Sequence, residues 1–253
     1  MIIDADTHIS PTEAGVFDIK VDELLRRMDK AGVDRALVWL RPQYMPDVPR
    51  GNRYVYESVQ AHPDRLIGFG WVDPHYGYDA GCDEIKRCIE EYGFHGVKMN
   101  GAQNQFYIDD PAKSLPLIEK IAETGKAMAF HIGTDAYEAT HPFRLAKIAK
   151  MYPEMPILMV HMGGVGFHDL SNAAIEVLAE YPNVTAIGSA NRAVNILKAL
   201  KKVGTDRICF GSDAPFNLMH VEVAIYNALM DGEFTQEQQS QVMHGNISRV
   251  LGL

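Results

Sequence analysis

Short apolar runs alternate with amphipathic segments of helical length from one end of the chain to the other. Residues 2–5 read as a strand, and Val21, Leu24, Leu25 and Met28 then recur at helical spacing before Gly32 stops the run. Further strands are expected at 36–40, 66–72, 96–99, 127–130, 157–160, 184–187 and 207–210. Helices are expected between them, at 54–61, 83–92, 115–123, 143–151, 173–181 and 194–202, with two closing helices at 221–230 and 236–251.

That is a sequence of eight strands, each followed by a helix. Alternation implies parallel strands joined by crossovers, and eight of them predict closure into a (β/α)8 TIM-type barrel. A doubly wound open sheet is the rival architecture. No linker, repeat or low-complexity segment interrupts the pattern, so residues 1–253 are expected to form one barrel domain. The longest irregular stretch, 41–51, is rich in proline. It is expected to be a mobile loop over the barrel mouth or part of a subunit contact, which would make the protein a homodimer.

Composition changes this picture little but closes off alternatives. The 253 residues are 47% hydrophobic and 23% charged, ordinary values for a globular chain. A net charge of -9 without a basic stripe argues against nucleic acid and anionic membrane as partners and leaves a small-molecule substrate. Three cysteines, Cys82, Cys88 and Cys209, lack the spacing of a zinc knuckle or redox motif and read as free thiols. The acidic start, Asp4 and Asp6, is unlike a signal peptide, so a cytoplasmic location is expected.

The informative feature is where metal-binding residue types fall. Asp6 and His8 follow the first strand, His131 ends the fifth, His161 ends the sixth and Asp213 follows the eighth. In a (β/α)8 barrel these strand ends converge on the C-terminal face, where active sites sit. A lone histidine or aspartate at a strand end is more often a satisfied core group or a helix cap. Five together at equivalent points are better explained by one divalent metal ion. Mixed imidazole and carboxylate ligands suit zinc, manganese or iron better than calcium. Lys98 ends strand four and faces the same mouth, as do Arg41 after strand two and Arg192 after strand seven. Each cation is a candidate for holding a substrate carboxylate. The remaining histidines, His168 among them, are expected to be structural or superficial, with His220 the candidate exception.

These motifs resemble the amidohydrolase-related branch of the metal-dependent amidohydrolase superfamily, which includes aminocarboxymuconate-semialdehyde and resorcylate decarboxylases. The resemblance rests on Asp4-Ala5-Asp6-Thr7-His8, on Gly96-Val97-Lys98, on His131 and on His161-Met162-Gly163-Gly164. It closes with Gly211-Ser212-Asp213-Ala214-Pro215 and Gly245-Asn246-Ile247. It implies that His8, His131 and Asp213 hold the metal and that His161 acts on the substrate beside it. Many members begin with His-x-His; here a carboxylate, Asp6, stands first and is expected as a fourth ligand. In binuclear relatives a carboxylated lysine on strand four bridges two metals, whereas here Lys98 is expected to stay uncarboxylated and to face the substrate.

Zinc is the first expectation for the metal, with manganese or magnesium as alternatives. Two reactions fit the ligand set. In the first, a metal-activated water hydrolyses an amide, lactone or ester of a small carboxylate-bearing substrate, with Asp213 shuttling the proton and His161 stabilising the oxyanion. This is the leading expectation because hydrolysis is the superfamily's broadest chemistry. In the second, a small aromatic or unsaturated acid loses carbon dioxide without oxidation. A metal-free binding barrel is the third reading and fits the intact ligand set least.

Overall fold

The computed structural model describes residues 1–41, 47–166 and 169–253. The strands are β1 (Ile3–Ile9), β2 (Arg35–Leu40), β3 (Leu66–Gly68), β4 (Gly70–Trp71), β5 (Gly96–Met99), β6 (Ala127–Gly133), β7 (Ile157–Gly164), β8 (Val184–Ile187) and β9 (Ile208–Cys209). The helices are α1 (Val21–Ala31), α2 (Val48–Ala61), α3 (Tyr78–Lys86), α4 (Ser114–Glu123), α5 (Pro142–Met151), α6 (Ser171–Glu180), α7 (Ala193–Val203), α8 (Met219–Met230), α9 (Gln236–Ser240) and α10 (Asn246–Leu251).

The strands pair in parallel with their sequence neighbours, β1 to β3 in one run and β4 to β9 in another. The break between the runs lies inside one barrel position. Phe69, between β3 and β4, donates its N–H to Val38 of β2, while Val72 beyond β4 donates to Lys98 of β5. Closure comes from the first and last strands. Ala5 donates to the Phe210 carbonyl at 3.1 Å, His8 to Ala214 at 2.8 Å, and Asp213 returns a bond to the Asp6 carbonyl at 2.9 Å. The fold is therefore a (β/α)8 barrel, with the alternating elements in the expected order. The strands are apolar because both of their faces are covered: Leu37, Val97, Phe130, Leu158, Ile187 and Ile208 are all fully buried.

Four local readings change. Strand one does not stop at residue 5: β1 runs through Asp6 and His8 to Ile9. The apolar pattern hid this because the mouth end of the strand is polar inside the barrel. The register of β1 on β2 shifts between Asp4 and Thr7, a bulge at the point where the first acidic side chain is aimed. Strands six and seven of the structure, β6 and β7, likewise extend past their histidines to Gly133 and Gly164. The helix expected from residue 54 starts at Val48, with Pro49 in its first turn and the Asp47 carboxylate accepting from the Arg50 N–H. The last helix is not continuous, since a π-helical turn, Gln241–Gly245, separates α9 from α10. Much of the stretch expected as a mouth loop, residues 42–46, and His168 lie outside the described residues. Among the described residues no helix is long and apolar enough to cross a membrane.

Candidate metal centre

Asp6, His8, Lys98, His131, His161 and Asp213 arrive from five strand positions, and all six are buried. A cavity of about 430 Å³ opens over them, lined by all of these except Asp6. Asp6 is not among the lining residues but lies behind them, against His8, Lys98 and His161.

Asp6 is the hub. Its Oδ1 lies 3.5 Å from His8 Nε2 and 3.6 Å from Lys98 Nζ, and its Oδ2 lies 3.6 Å from His161 Nδ1. Burial opposes ionisation of Asp6, but the neighbouring Lys98 ammonium overrides it and holds the carboxyl well below its usual range. Lys98 is fully buried and its own affinity for a proton is lowered by that burial, with Asp6 and Asp213 opposing the effect. Its Nζ sits 3.6 Å from the centre of the Trp39 ring and 5.4 Å from that of Trp71, a cation held on aromatic faces. Asp213 is pushed up to about 6 by burial and by the neighbouring Asp6 charge. Burial, followed by the neighbouring His131, drives His161 well below the usual histidine value.

The tautomer of His8 can be read from its partners. Its Nδ1 is 2.8 Å from the Leu40 carbonyl, which can only accept, so Nδ1 carries the proton. The Trp39 Nε1–H, which can only donate, points at Nε2 from 3.1 Å. His8 Nε2 therefore presents a lone pair, 3.5 Å from carboxylate oxygens of both Asp6 and Asp213. Burial and the Lys98 charge oppose protonation of His8, and those carboxylates outweigh them and raise its affinity for a proton. The same field that draws a proton draws a metal ion.

Metal fit is testable on these atoms. Asp6 Oδ1 is buried and has no hydrogen-bond partner among the described residues. An orphaned carboxylate oxygen is costly unless a cation meets it. Ligand atoms of Asp6, His161 and Asp213 all lie within 4.8 Å of one another, with the His8 lone pair alongside. Two carboxylates and imidazole nitrogens form a hard, mixed donor set that fits a divalent cation. His131 stands apart in one respect: its Nε2 bonds Asp135 Oδ1 at 2.8 Å, which leaves Nδ1 as its other ring atom. Its ring meets that of His161 edge-on, centroids 4.6 Å apart.

The backbone is strained where the site is built. His161 and Met162 adopt φ of 70° and 48°, and Asp213 adopts 59°, left-handed values that cost a side-chain-bearing residue about 1–3 kcal/mol each. Gly163 follows at φ 79°. A Cβ there would lie 2.6 Å from the Leu170 carbonyl carbon, so the turn requires glycine. Asn191 holds this bend by donating to the His161 and Met162 carbonyls at 2.9 and 3.1 Å.

Of the residues expected at the mouth, Arg192 lines the cavity. Arg41 does not: its Nε lies 3.2 Å from Asp18 and its guanidinium packs over Phe216, 5.7 Å from the ring centre. His220 begins α8 and does not line the cavity either. Sequence reasoning missed Ser189, Asp135 and Asn191. Ser189 and Asn191 sit one turn past β8, and Asp135 is four residues past His131. A short polar residue just beyond a ligand-bearing or apolar strand was the available signal.

A family model described as amidohydrolase matches residues 3–253. The chain is 25% identical to gamma-resorcylate decarboxylase of Rhizobium sp. (strain MTP-10005), covering 79% of this chain and 78% of that protein. It is 23% identical to 2-amino-3-carboxymuconate-6-semialdehyde decarboxylase of Dictyostelium discoideum, covering 85% of this chain and 69% of that one. Among solved structures it resembles 5-carboxyvanillate decarboxylase of Novosphingobium aromaticivorans, complexed with manganese and 4-hydroxy-3-methoxy-5-nitrobenzoic acid, with a TM-score of 0.79 at 17% identity. That likeness covers 100% of this chain and 96% of the other. The expectation of amide, lactone or ester hydrolysis is corrected by these relatives, which are carboxy-lyases. The physical reason for the error is that one ligand set serves both reactions. The resembling structure carries manganese, one of the expected alternatives, so zinc as first expectation finds no support among these relatives.

Proposed function

The chain belongs to the amidohydrolase family, and on that premise we propose that it is a metal-dependent, non-oxidative decarboxylase of a small aromatic or unsaturated carboxylic acid. The observation that carries this reading is a buried pair of carboxylates, Asp6 and Asp213, set beside Lys98, His8 and His161, with all but Asp6 lining one cavity. The kinship with resorcylate and carboxymuconate-semialdehyde decarboxylases supports the choice of reaction.

Asp6, His8, Asp213 and His131 would hold the metal, manganese first. When bound, it supplies positive charge that gathers the substrate carboxylate and a neighbouring hydroxyl or carbonyl oxygen. The rest is the work of the chain. Lys98 and Arg192 are the cations lining the cavity, and they orient and partly neutralise the acid. Burial and the Asp6 charge raise the affinity of Asp213 for a proton, which makes it the carboxyl suited to shuttle one. It delivers that proton to the carbon bearing the carboxylate. The carbon–carboxylate bond then breaks, its electron pair returns to the ring or alkene, and carbon dioxide leaves. A hydrogen has replaced a carboxylate, and no oxidant is needed. His161, kept neutral by its burial, takes a hydrogen bond at Nε2 from the substrate hydroxyl beside the reacting carbon. Phe216 offers an apolar wall for a flat substrate.

The test is a panel of ortho-hydroxybenzoic and unsaturated acids, with lactones and amides alongside, incubated with manganese-loaded protein. Carbon dioxide release from an acid is the expected result. Turnover confined to lactones or amides would overturn the reading.

A further inference from the structure

Ser189 is fully buried in the bend after β8 and touches two members of the site at once. Its hydroxyl donates to Asp6 Oδ2 at 2.5 Å and lies 3.0 Å from His161 Nδ1. A serine hydroxyl has one proton. At 2.5 Å Asp6 Oδ2 is the closer partner and accepts it, so that proton is committed to Asp6. Toward His161 the serine oxygen can then only accept, which requires a proton on Nδ1. The second neighbour of Nδ1 agrees: Asp6 Oδ2, 3.6 Å away, would repel a nitrogen lone pair and attracts an N–H.

We propose that Ser189 is a positioning residue whose single hydroxyl locks His161 in the Nδ1–H tautomer and pins Asp6 Oδ2, leaving His161 Nε2 and Asp6 Oδ1 as the two reactive atoms. Both consequences match the surroundings. Asp6 Oδ1 is the oxygen without a partner among the described residues, so pinning Oδ2 turns the carboxylate into a one-handed ligand. His161 lines the cavity, and Nε2 is the only ring atom left to meet a substrate or a cation. Outer groups of this kind fix the tautomer and direction of the groups they touch, and their loss costs about 10- to 100-fold in metal affinity or activity. If Ser189 merely filled space, alanine would serve as well, since no large side chain is involved.

The inference rests on the proposed function only in giving His161 work to do, and the experiment separates the two. Two-bond proton–nitrogen correlation spectra are recorded on protein labelled with [15N]histidine and loaded with diamagnetic zinc, and the His161 signals are identified by their absence in His161→Asn. The wild type is expected to show His161 protonated on Nδ1. In Ser189→Ala the Nδ1–H is expected to lose its serine acceptor, which shifts the Nδ1 resonance and admits a share of the Nε2–H form. Zinc affinity is expected to fall about 10- to 100-fold. A wild-type ring protonated on Nε2, or an unchanged His161 signature in Ser189→Ala, would overturn the proposal. Should Ser189→Ala not fold, the wild-type tautomer alone decides. An Nδ1–H ring in a protein that releases no carbon dioxide would uphold Ser189 and count against decarboxylation.

Discussion

His131 Nε2 lies 2.8 Å from Asp135 Oδ1, a carboxylate four residues further along in the 3₁₀ turn that follows β6. Burial resists ionisation of Asp135, but its hydrogen bond to His131 prevails and holds its carboxyl below the usual range. A carboxylate behind an imidazole fixes the ring and strengthens its other nitrogen as a donor. Asp135→Asn is therefore expected to weaken manganese binding by about 10- to 100-fold with the melting temperature nearly unchanged. Titration of metal-free protein measures it, and an unaltered binding curve would show that the pair is only a surface contact.

His8 makes a sharper prediction about the ion itself. Its Nε2 lies 3.5 Å from carboxylate oxygens of both Asp6 and Asp213, where a metal would take the lone pair that Trp39 now meets, so His8→Ala removes a donor from the centre of the cluster. Elemental analysis of His8→Ala and of His131→Ala is expected to show metal lost from both while circular dichroism stays native. Full occupancy in both variants would remove these histidines from the ligand set.

His161→Asn is expected to keep its metal and to lose turnover by about 10²–10⁴-fold, the scale of a missing acid–base or hydrogen-bonding group. Its position serves ligation as well as catalysis, because its ring nitrogen falls within 4.8 Å of ligand atoms of Asp6 and Asp213. Metal content of the variant separates the two. A metal-free His161→Asn protein would make it a ligand.

Lys98 is expected to remain an amine. Its Nζ is enclosed by Trp39, Trp71 and Asp6, and a carbamate there would place a further negative charge beside Asp6. Carbon-13 spectra of protein equilibrated with labelled bicarbonate are expected to show no carbamate, and metal analysis one ion per chain. Two ions and a carbamate signal would contradict both. Lys98→Met, which keeps the length of the side chain, is expected to raise KM for the acid substrate more than it lowers metal content.

The barrel could be read from the chain because its strands are buried on both faces and its helices on one, and these periods differ sharply. The ends of the strands could not. In β1 the polar residues Asp6 and His8 continue the strand into the mouth, where hydrophobicity stops reporting on secondary structure. The convergence of Asp6, His8, His131, His161 and Asp213 followed from topology alone, since each is tied to a strand end. Ser189 and Asp135 escaped notice because a serine and an aspartate after a strand are ordinary loop residues until their neighbours in space are known. The pairing of Arg41 was hidden for the same reason: its partner, Asp18, comes from the loop between β1 and α1, which the pattern of strands does not place. The reaction was beyond the ligand set, which serves an attacking water and a departing carboxylate equally well.

Decarboxylation by proton delivery leaves an isotopic record, and this tests the account most directly. Manganese-loaded protein is incubated in deuterium oxide with the acid from the panel that it turns over, carboxyl-labelled with carbon-13. The product and the gas are then analysed by mass spectrometry. The account predicts one labelled carbon dioxide for each product molecule, one deuterium at the carbon that bore the carboxylate, and loss of both in Asp213→Asn. A product that keeps its carboxyl carbon, or protein that cleaves a lactone or amide and leaves every acid intact, would contradict it.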